Sequence, residues 1–137
     1  MIKNLVMNLL QRVIELGHKL GLIADYTVET GTSGAWTYEK WESGKAICYG
    51  RFLKTIAATT QWGGTWYYGS IASENFPSGL FNSQPFLTTV IESDGLALMG
   101  PQNANITKDH TGEAFGVRPN SYTAQYYIMY HAIGTWK

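Results

Sequence analysis

Cysteine, charge and long apolar runs are all scarce in this sequence. Its one cysteine, Cys48, excludes a disulfide within the chain and any zinc site built from several cysteines. Only 15% of the 137 residues are charged, and ten basic residues balance ten acidic ones without blocks of either sign. Because nucleic-acid binding normally needs a basic patch, we expect no nucleic-acid partner. No segment approaches the roughly 18 apolar residues of a membrane span, so we expect no membrane insertion.

Glycine and aromatic residues are abundant instead. The chain has 15 glycines and 14% aromatic residues within a composition that is 45% apolar, which suits a globular body with many turns. Its length allows one ordinary domain and is too short for two. Cys48 lies in a β-type stretch, and we predict that it is a small buried residue of a strand.

The first 24 residues carry a heptad pattern. Apolar residues follow one another at alternating spacings of four and three, at Ile2, Val6, Leu9, Val13, Leu16, Leu20 and Ile23. Such a 3.5-residue repeat makes a narrow stripe that suits supercoiling with other helices, and Leu5 and Leu10 widen it in favour of more than two strands. We predict a helical coiled-coil stalk over residues 1–24. The alternative is an amphipathic helix folded onto its own domain.

From residue 25 onward the sequence consists of short β-type runs separated by turn residues. The predicted strands are 26–30, 35–41, 45–56, 65–72, 86–92, 96–99, 113–117 and 122–135. Many short strands without intervening helices are typical of a sandwich or a small barrel. The predicted fold is therefore mainly β, with the short N-terminal stalk followed by an antiparallel β-sandwich head over residues 25–137.

The segment WTYEKWESGKAICYG, residues 36–50, is predicted to form a hairpin. Gly44 supplies the positive φ angle that a short turn needs. We expect the turn to place Trp41 opposite Ala46 and Tyr38 opposite Tyr49. Since aromatic residues occur on both faces of this hairpin, we expect neither face to be simply solvated.

The last predicted strand has two different faces. One face is almost wholly apolar and is predicted to be core. Its members are Tyr122, Ala124, Tyr126, Ile128, Tyr130, Ala132 and Trp136. The other face includes Tyr127, Met129 and His131, and it is too apolar for water and too polar for a core. Because aromatic residues and methionine are enriched at subunit contacts, we predict that this face meets a neighbouring subunit. A second packing layer within the monomer is the alternative.

The segment QWGGTWYYG, residues 61–69, is the best candidate for ligand recognition. Aromatic faces stack on the apolar faces of sugar rings, while nearby amides and carboxylates bond the hydroxyls. The predicted ligand-binding residues are Trp62, Tyr67, Asn103, Asn105, Asp109 and His110. For Trp66 and Tyr68 we expect core packing instead, and for Trp62 both interpretations stay open.

Catalytic and metal-binding patterns are weak. The histidines are His18, His110 and His131, which lie far apart and match no zinc signature. Glu92 and Asp94 have the residue types of a glycosidase pair, but Asp94 followed by Gly95 is better explained by turn formation. We predict no enzyme, no cofactor and no resident metal. A metal held by copies of His131 on a threefold axis stays open.

Three segments resemble a known family. The hairpin 36–50, the stretch FNSQPFLTTVIES at 81–93 and the ending YYIMYHAIGTWK at 126–137 are similar, in that order, to distal tail or receptor-binding (tail fibre tip) proteins of bacteriophages and prophages of Gram-positive bacteria. The resemblance implies a homotrimer with a coiled-coil stalk and a head that meets the host surface. It supplies no binding residues. This chain differs from that family in length, since most such proteins carry a long N-terminal region before the helix.

The resemblance implies a phage receptor-binding protein (adhesin) that recognises a bacterial cell-surface saccharide. Its location would be the tail tip of the virion, extracellular at the host surface. The implied partners are two further copies of the chain, host polysaccharide and other tail or baseplate proteins. The alternatives are a structural trimerisation tip without ligand and a glycan-degrading tail enzyme. A carbohydrate-binding module from outside phages is disfavoured by the heptad.

Overall fold

The computed structural model describes residues 1–22, 24–93, 95, 97–101 and 105–137. The chain is mainly β, with one N-terminal helix and antiparallel sheets. The elements are α1 (Ile2–Lys19), β1 (Thr27–Ser33), β2 (Trp36–Trp41), β3 (Lys45–Ala58), β4 (Thr60–Gln61), β5 (Tyr67–Ile71), β6 (Phe86–Glu92), β7 (Leu98–Pro101), β8 (Ala114–Arg118) and β9 (Tyr122–Thr135). Every predicted strand overlaps one of these, with bounds that differ by up to three residues, and the two-residue strand β4 was not predicted.

The helix ends earlier than the predicted stalk. Gly21 adopts a φ of +72°, its amide donates to the carbonyl of His18, and the amide of Leu22 donates to the carbonyl of Gly17. This pairing closes a helix with a left-handed glycine, which explains why α1 stops at Lys19. Five of the seven heptad residues lie in the helix, and Leu20 follows its end. Ile23 lies outside the described residues.

The apolar stripe of α1 has no cover within the single chain. The helix contains no buried residue, and within the described part of the chain no strand packs against it. Its C-terminal end touches the head through His18, whose ring meets the edge of Tyr26 at a centroid distance of 5.9 Å. The structure therefore does not show the alternative, in which the apolar stripe of the helix packs onto its own domain.

Two sheets share one core. The five-stranded sheet has the order β1-β2-β3-β9-β6, and the four-stranded sheet has the order β4-β5-β8-β7. The strands β3 and β9 pair along their whole length of 14 residues each. Alternate side chains of both strands are buried in this core, as period-two packing requires. The core includes Trp36, Ala46, Cys48, Ile56, Ile71, Phe76, Phe81, Tyr126, Ile128, Tyr130 and Ala132.

The predicted core face of the last strand is correct except at one position. Tyr126, Ile128, Tyr130 and Ala132 are buried, while Ala124 and Trp136 are partly buried. The prediction for Tyr122 is wrong, because its side chain is 54% exposed. Tyr122 is the first residue of β9, and its ring lies at the surface against the guanidinium of Arg118, 4.7 Å from the ring centroid.

The predicted hairpin exists, but its register differs by one residue. Tyr38 pairs with Cys48 and Thr37 pairs with Tyr49. The amide of Gly44 donates to the carbonyl of Trp41, and the left-handed Gly44 (φ +95°) adds one residue to the second arm. As a result Tyr38 lies on the inner face of the sheet and Tyr49 on the outer face. Cys48 is buried as predicted, and burial raises the pKa of its thiol to about 12.

Candidate functional site

An aromatic groove lies on the outer face of the four-stranded sheet. It encloses about 450 Å³ and is lined by Trp62, Tyr68, Phe115 and Val117. Tyr68 and Val117 are direct cross-strand partners, and the rings of Tyr68 and Phe115 meet edge to face with centroids 5.5 Å apart. The volume falls within the range of small-ligand sites, roughly 300–1,000 Å³.

Strand alternation determines which side chains reach this groove. The side chains of Ile71 and Ala114 point into the core, so Tyr68 and Phe115 must point away from it. The prediction that Tyr68 packs in the core is therefore wrong, since its ring is half-buried on the outer side. Tyr67 pairs with Arg118 and faces the other side of the sheet, so it does not join Trp62.

The turn before β5 presents Trp62 to solvent. The amide of Trp62 donates to the carbonyl of Trp66 at 2.7 Å, and the side-chain amide of Gln61 donates to the carbonyl of Gly64 at 2.7 Å. Gly63 and Gly64 adopt φ angles of +57° and +54°, which other residues rarely adopt. The indole is 65% exposed on this hydrogen-bonded turn, which supports exposure over core packing for Trp62.

The groove combines apolar faces with few polar groups. Its four lining side chains contribute the phenol of Tyr68 and the indole N–H of Trp62. Thr60 is the cross-strand partner of Tyr68, so its side chain lies on the same face of the sheet. Such an apolar platform with few polar groups matches the chemistry of a sugar ring, which has a C–H face and hydroxyl edges.

The predicted polar partners lie elsewhere. His110 pairs with Asn75 in an isolated bridge, and Asp109 is paired with Lys108 at 2.8 Å. This loop precedes β8, and none of its described residues is among the four that line the groove. Asn105 lies in the same loop, next to Gly112, and Asn103 lies outside the described residues.

The outer face of the five-stranded sheet is the second notable surface. The predicted contact residues Tyr127, Met129 and His131 share this face and pair with Leu53, Arg51 and Tyr49 of β3. Its exposed large apolar residues are Tyr49, Leu53, Phe86, Val90, Tyr127, Met129 and Ile133. The alternative of a second packing layer is not seen, since no described element covers the face.

This outer face is large for an uncovered surface. Its seven apolar residues are 37–76% exposed. With about 150–250 Å² for an aromatic side chain and less for an aliphatic one, this leaves on the order of 600 Å². The largest exposed patch of a typical monomer is about 300–600 Å² and is often functional, so this face lies at the upper end of that range. The guanidinium carbon of Arg51 lies 3.4 Å from the ring centroid of Tyr127, and its Nη2 lies 2.9 Å from Oε2 of Glu92. The charges of Arg51 and Glu92 on this face are therefore matched.

Comparison with known proteins adds no relative: no protein-family model, no curated protein and no solved structure matches this chain. Over the described ranges, no three His, Cys, Asp or Glu side chains are grouped as metal ligands would be. Among the same residues, no helix has the length and apolar character needed to cross a membrane. Of the two acidic residues considered as a glycosidase pair, Glu92 forms an ion pair with Arg51, and Asp94 lies outside the described residues.

Proposed function

We propose that this chain is a phage tail receptor-binding protein that recognises a bacterial cell-surface saccharide through the aromatic groove. The observation that supports it best is Trp62, whose indole is 65% exposed on a glycine turn beside the rings of Tyr68 and Phe115. A large aromatic side chain held in solvent loses burial energy, and a stacking ligand restores it. The three-segment resemblance to distal tail proteins supports the phage assignment.

The proposal includes a homotrimer with a coiled-coil stalk and a β-sandwich head. The uncovered stripe of α1 and the apolar outer face of the five-stranded sheet both need a partner, and a second and third copy of the chain supply one. Asp25 holds the segment after α1 to the turn between β2 and β3, because its carboxylate accepts hydrogen bonds from the hydroxyl and amide of Ser43, at 2.6 Å and 3.0 Å. Ser43 is at the end of the sheet where Phe86 and Ile133 lie. An area of about 600 Å² plus the helix stripe approaches the roughly 800 Å² per partner of a standard interface.

The proposed activity is binding of the saccharide without hydrolysis. None of the four side chains lining the groove is a carboxylate, whereas glycoside hydrolysis canonically uses a pair of them. Each groove is shallow and binds weakly, and three copies on one stalk raise avidity without a new contact. The protein would act at the tail tip, attached to other tail or baseplate proteins.

The test is binding of the full-length chain to host cells and to purified wall polysaccharide. Trp62→Ala is expected to abolish binding while the melting temperature and the oligomeric state stay unchanged. Tyr122→Ala removes another exposed aromatic ring outside the groove, and Asp109→Ala removes a polar group that does not line it. Both control variants are expected to bind like the wild type.

Three outcomes would contradict the proposal. Release of sugar from the polysaccharide would favour the glycan-degrading enzyme. If the wild type binds no cells and no polysaccharide, the structural tip is the better account. If Trp62→Ala unfolds the head, the indole supports the fold and the groove is not the binding site.

A further inference from the structure

A second cleft, which is polar, lies between the β1–β2 hairpin and residues 77–80. Its volume is about 260 Å³. The lining residues that have polar side chains are Glu29, Thr32, Ser33, Tyr38, Lys40 and Ser78. Pro77 and the buried Leu80 complete the lining with an apolar surface. This composition is the opposite of the apolar groove at Trp62.

The carboxylate of Glu29 is held by two other residues that line this cleft. The phenol of Tyr38 donates to Oε1 at 3.0 Å, and the ammonium of Lys40 donates to Oε2 at 3.0 Å. The hydrogen bond from Lys40, followed by the one from Tyr38, lowers the pKa of Glu29 below its usual range, so the group is ionised at neutral pH. A carboxylate has about four acceptor positions. Each oxygen of Glu29 therefore keeps capacity for a ligand hydroxyl.

A glycine allows this arrangement. Gly31 is the cross-strand partner of Tyr38, and a Cβ at Gly31 would lie 2.8 Å from the phenol oxygen and 2.9 Å from Cζ. The ring of Tyr38 thus lies flat on the backbone of β1, with its hydroxyl directed to Glu29. Lys40 is confined as well, since its ammonium lies 5.6 Å from the ring centroid of Trp136. The polar groups are positioned before any ligand arrives.

We propose that this cleft binds one neutral pyranose unit, with ring hydroxyls donating to Glu29 and accepting from Lys40. The charges of Glu29 and Lys40 cancel, so the cleft offers no net charge to an anionic or cationic ligand. Its volume of about 260 Å³ lies just below the roughly 300–1,000 Å³ of drug-sized ligand sites, which suits a single sugar ring. The hydroxyl of Ser78 adds a further donor and acceptor at the wall. This site is independent of the Trp62 groove and stands without it.

The test uses the full-length, isotopically labelled chain and amide NMR titration with D-glucose and D-galactose. Glucuronate and glucosamine are the charged counterparts. A neutral hexose is expected to shift amides of residues 29–33 and 77–80 with a saturable curve. Glu29→Gln keeps the shape of the side chain but loses its charge, and it is expected to weaken binding about tenfold. Trp62→Ala is the matched control and should leave these shifts unchanged.

Gly31→Ala tests the positioning of Tyr38 separately. The added methyl must displace the ring, so binding is expected to fall while the far-ultraviolet circular dichroism stays that of the wild type. The proposal is overturned if neither hexose gives saturable shifts in this cleft up to roughly 100 mM, a hundredfold above a millimolar Kd. Tighter binding of glucuronate or glucosamine, or full binding by Glu29→Gln, would also overturn it. If instead only the Trp62 groove responds, the polar cleft fails while the proposed function stands.

Discussion

Truncation of Tyr126 tests the central arrangement of the two sheets. Its side chain is only 4% exposed within the core, and its hydroxyl is hydrogen-bonded to the guanidinium of Arg118. Removing a ring that buries about 150–250 Å² loses roughly 4–6 kcal/mol at 25 cal/mol per Å². The remaining methyl group and partial collapse of the cavity recover some of this. We expect Tyr126→Ala to lower the free energy of unfolding by about 3–5 kcal/mol.

Two further variants separate the contributions to this loss. Tyr126→Phe keeps the ring and removes only the hydrogen bond to Arg118, so we expect a loss of about 1 kcal/mol. Tyr122→Ala removes a half-exposed ring in the same strand that stacks on the same arginine. For an exposed cation–π contact we expect a loss of about 0.5–1 kcal/mol.

The assay is urea unfolding followed by circular dichroism and tryptophan fluorescence, with linear extrapolation to water. Protein concentration must be the same for all variants, because association contributes to apparent stability. A loss below about 1 kcal/mol for Tyr126→Ala would refute the reasoning, as core truncations of this size cost several times more. Equal losses for Tyr126→Ala and Tyr122→Ala would refute it as well.

Three other perturbations test the stalk, the contact between the sheets and the joint between helix and head. Leu9→Asp places a charge in the apolar stripe of α1 and should convert the proposed trimer to monomer by light scattering, whereas a monomeric wild type would rule the trimer out. Gly69→Ala would place a methyl 2.3 Å from the carbonyl oxygen of Ala57, so urea unfolding should show a loss of about 3 kcal/mol or more, and a neutral effect would contradict the packing. Hydrogen bonds from Ser43 lower the pKa of Asp25, so the joint is stabilised above the ordinary pKa of 3.8 and released as the pH falls below it. Protection of the Ser43 amide from hydrogen exchange, relative to its intrinsic rate at each pH, should therefore be lost below pH 3.8 in the wild type and at every pH in Asp25→Ala; protection without this pH dependence would contradict it.

The local periodicity of apolar residues predicted most of the secondary structure and its buried faces. Period-two alternation placed β9 at its observed residues and identified Tyr126, Ile128 and Tyr130 as buried, because the side-chain direction in a strand depends only on the local backbone. The spacing of apolar residues in α1 likewise predicted a helix with a narrow stripe. The end of that helix could also have been predicted from the sequence, because glycine is the residue that a left-handed C-terminal cap favours and Gly21 occupies that position.

Pairings between distant segments were decided only by the tertiary structure. The hairpin register depended on one residue added at Gly44, and that shift moved Tyr38 to the inner face, where it meets Glu29. The groove joins Trp62 to Phe115 across more than fifty residues, through the pairing of β5 with β8. No local pattern specifies which strands become neighbours, because that choice depends on how the whole chain buries its apolar faces. For the same reason the sequence predicted aromatic residues as the ligand platform, while the face of β5 that turns away from the core selected Tyr68 over Tyr67, and the predicted polar partners do not line the groove.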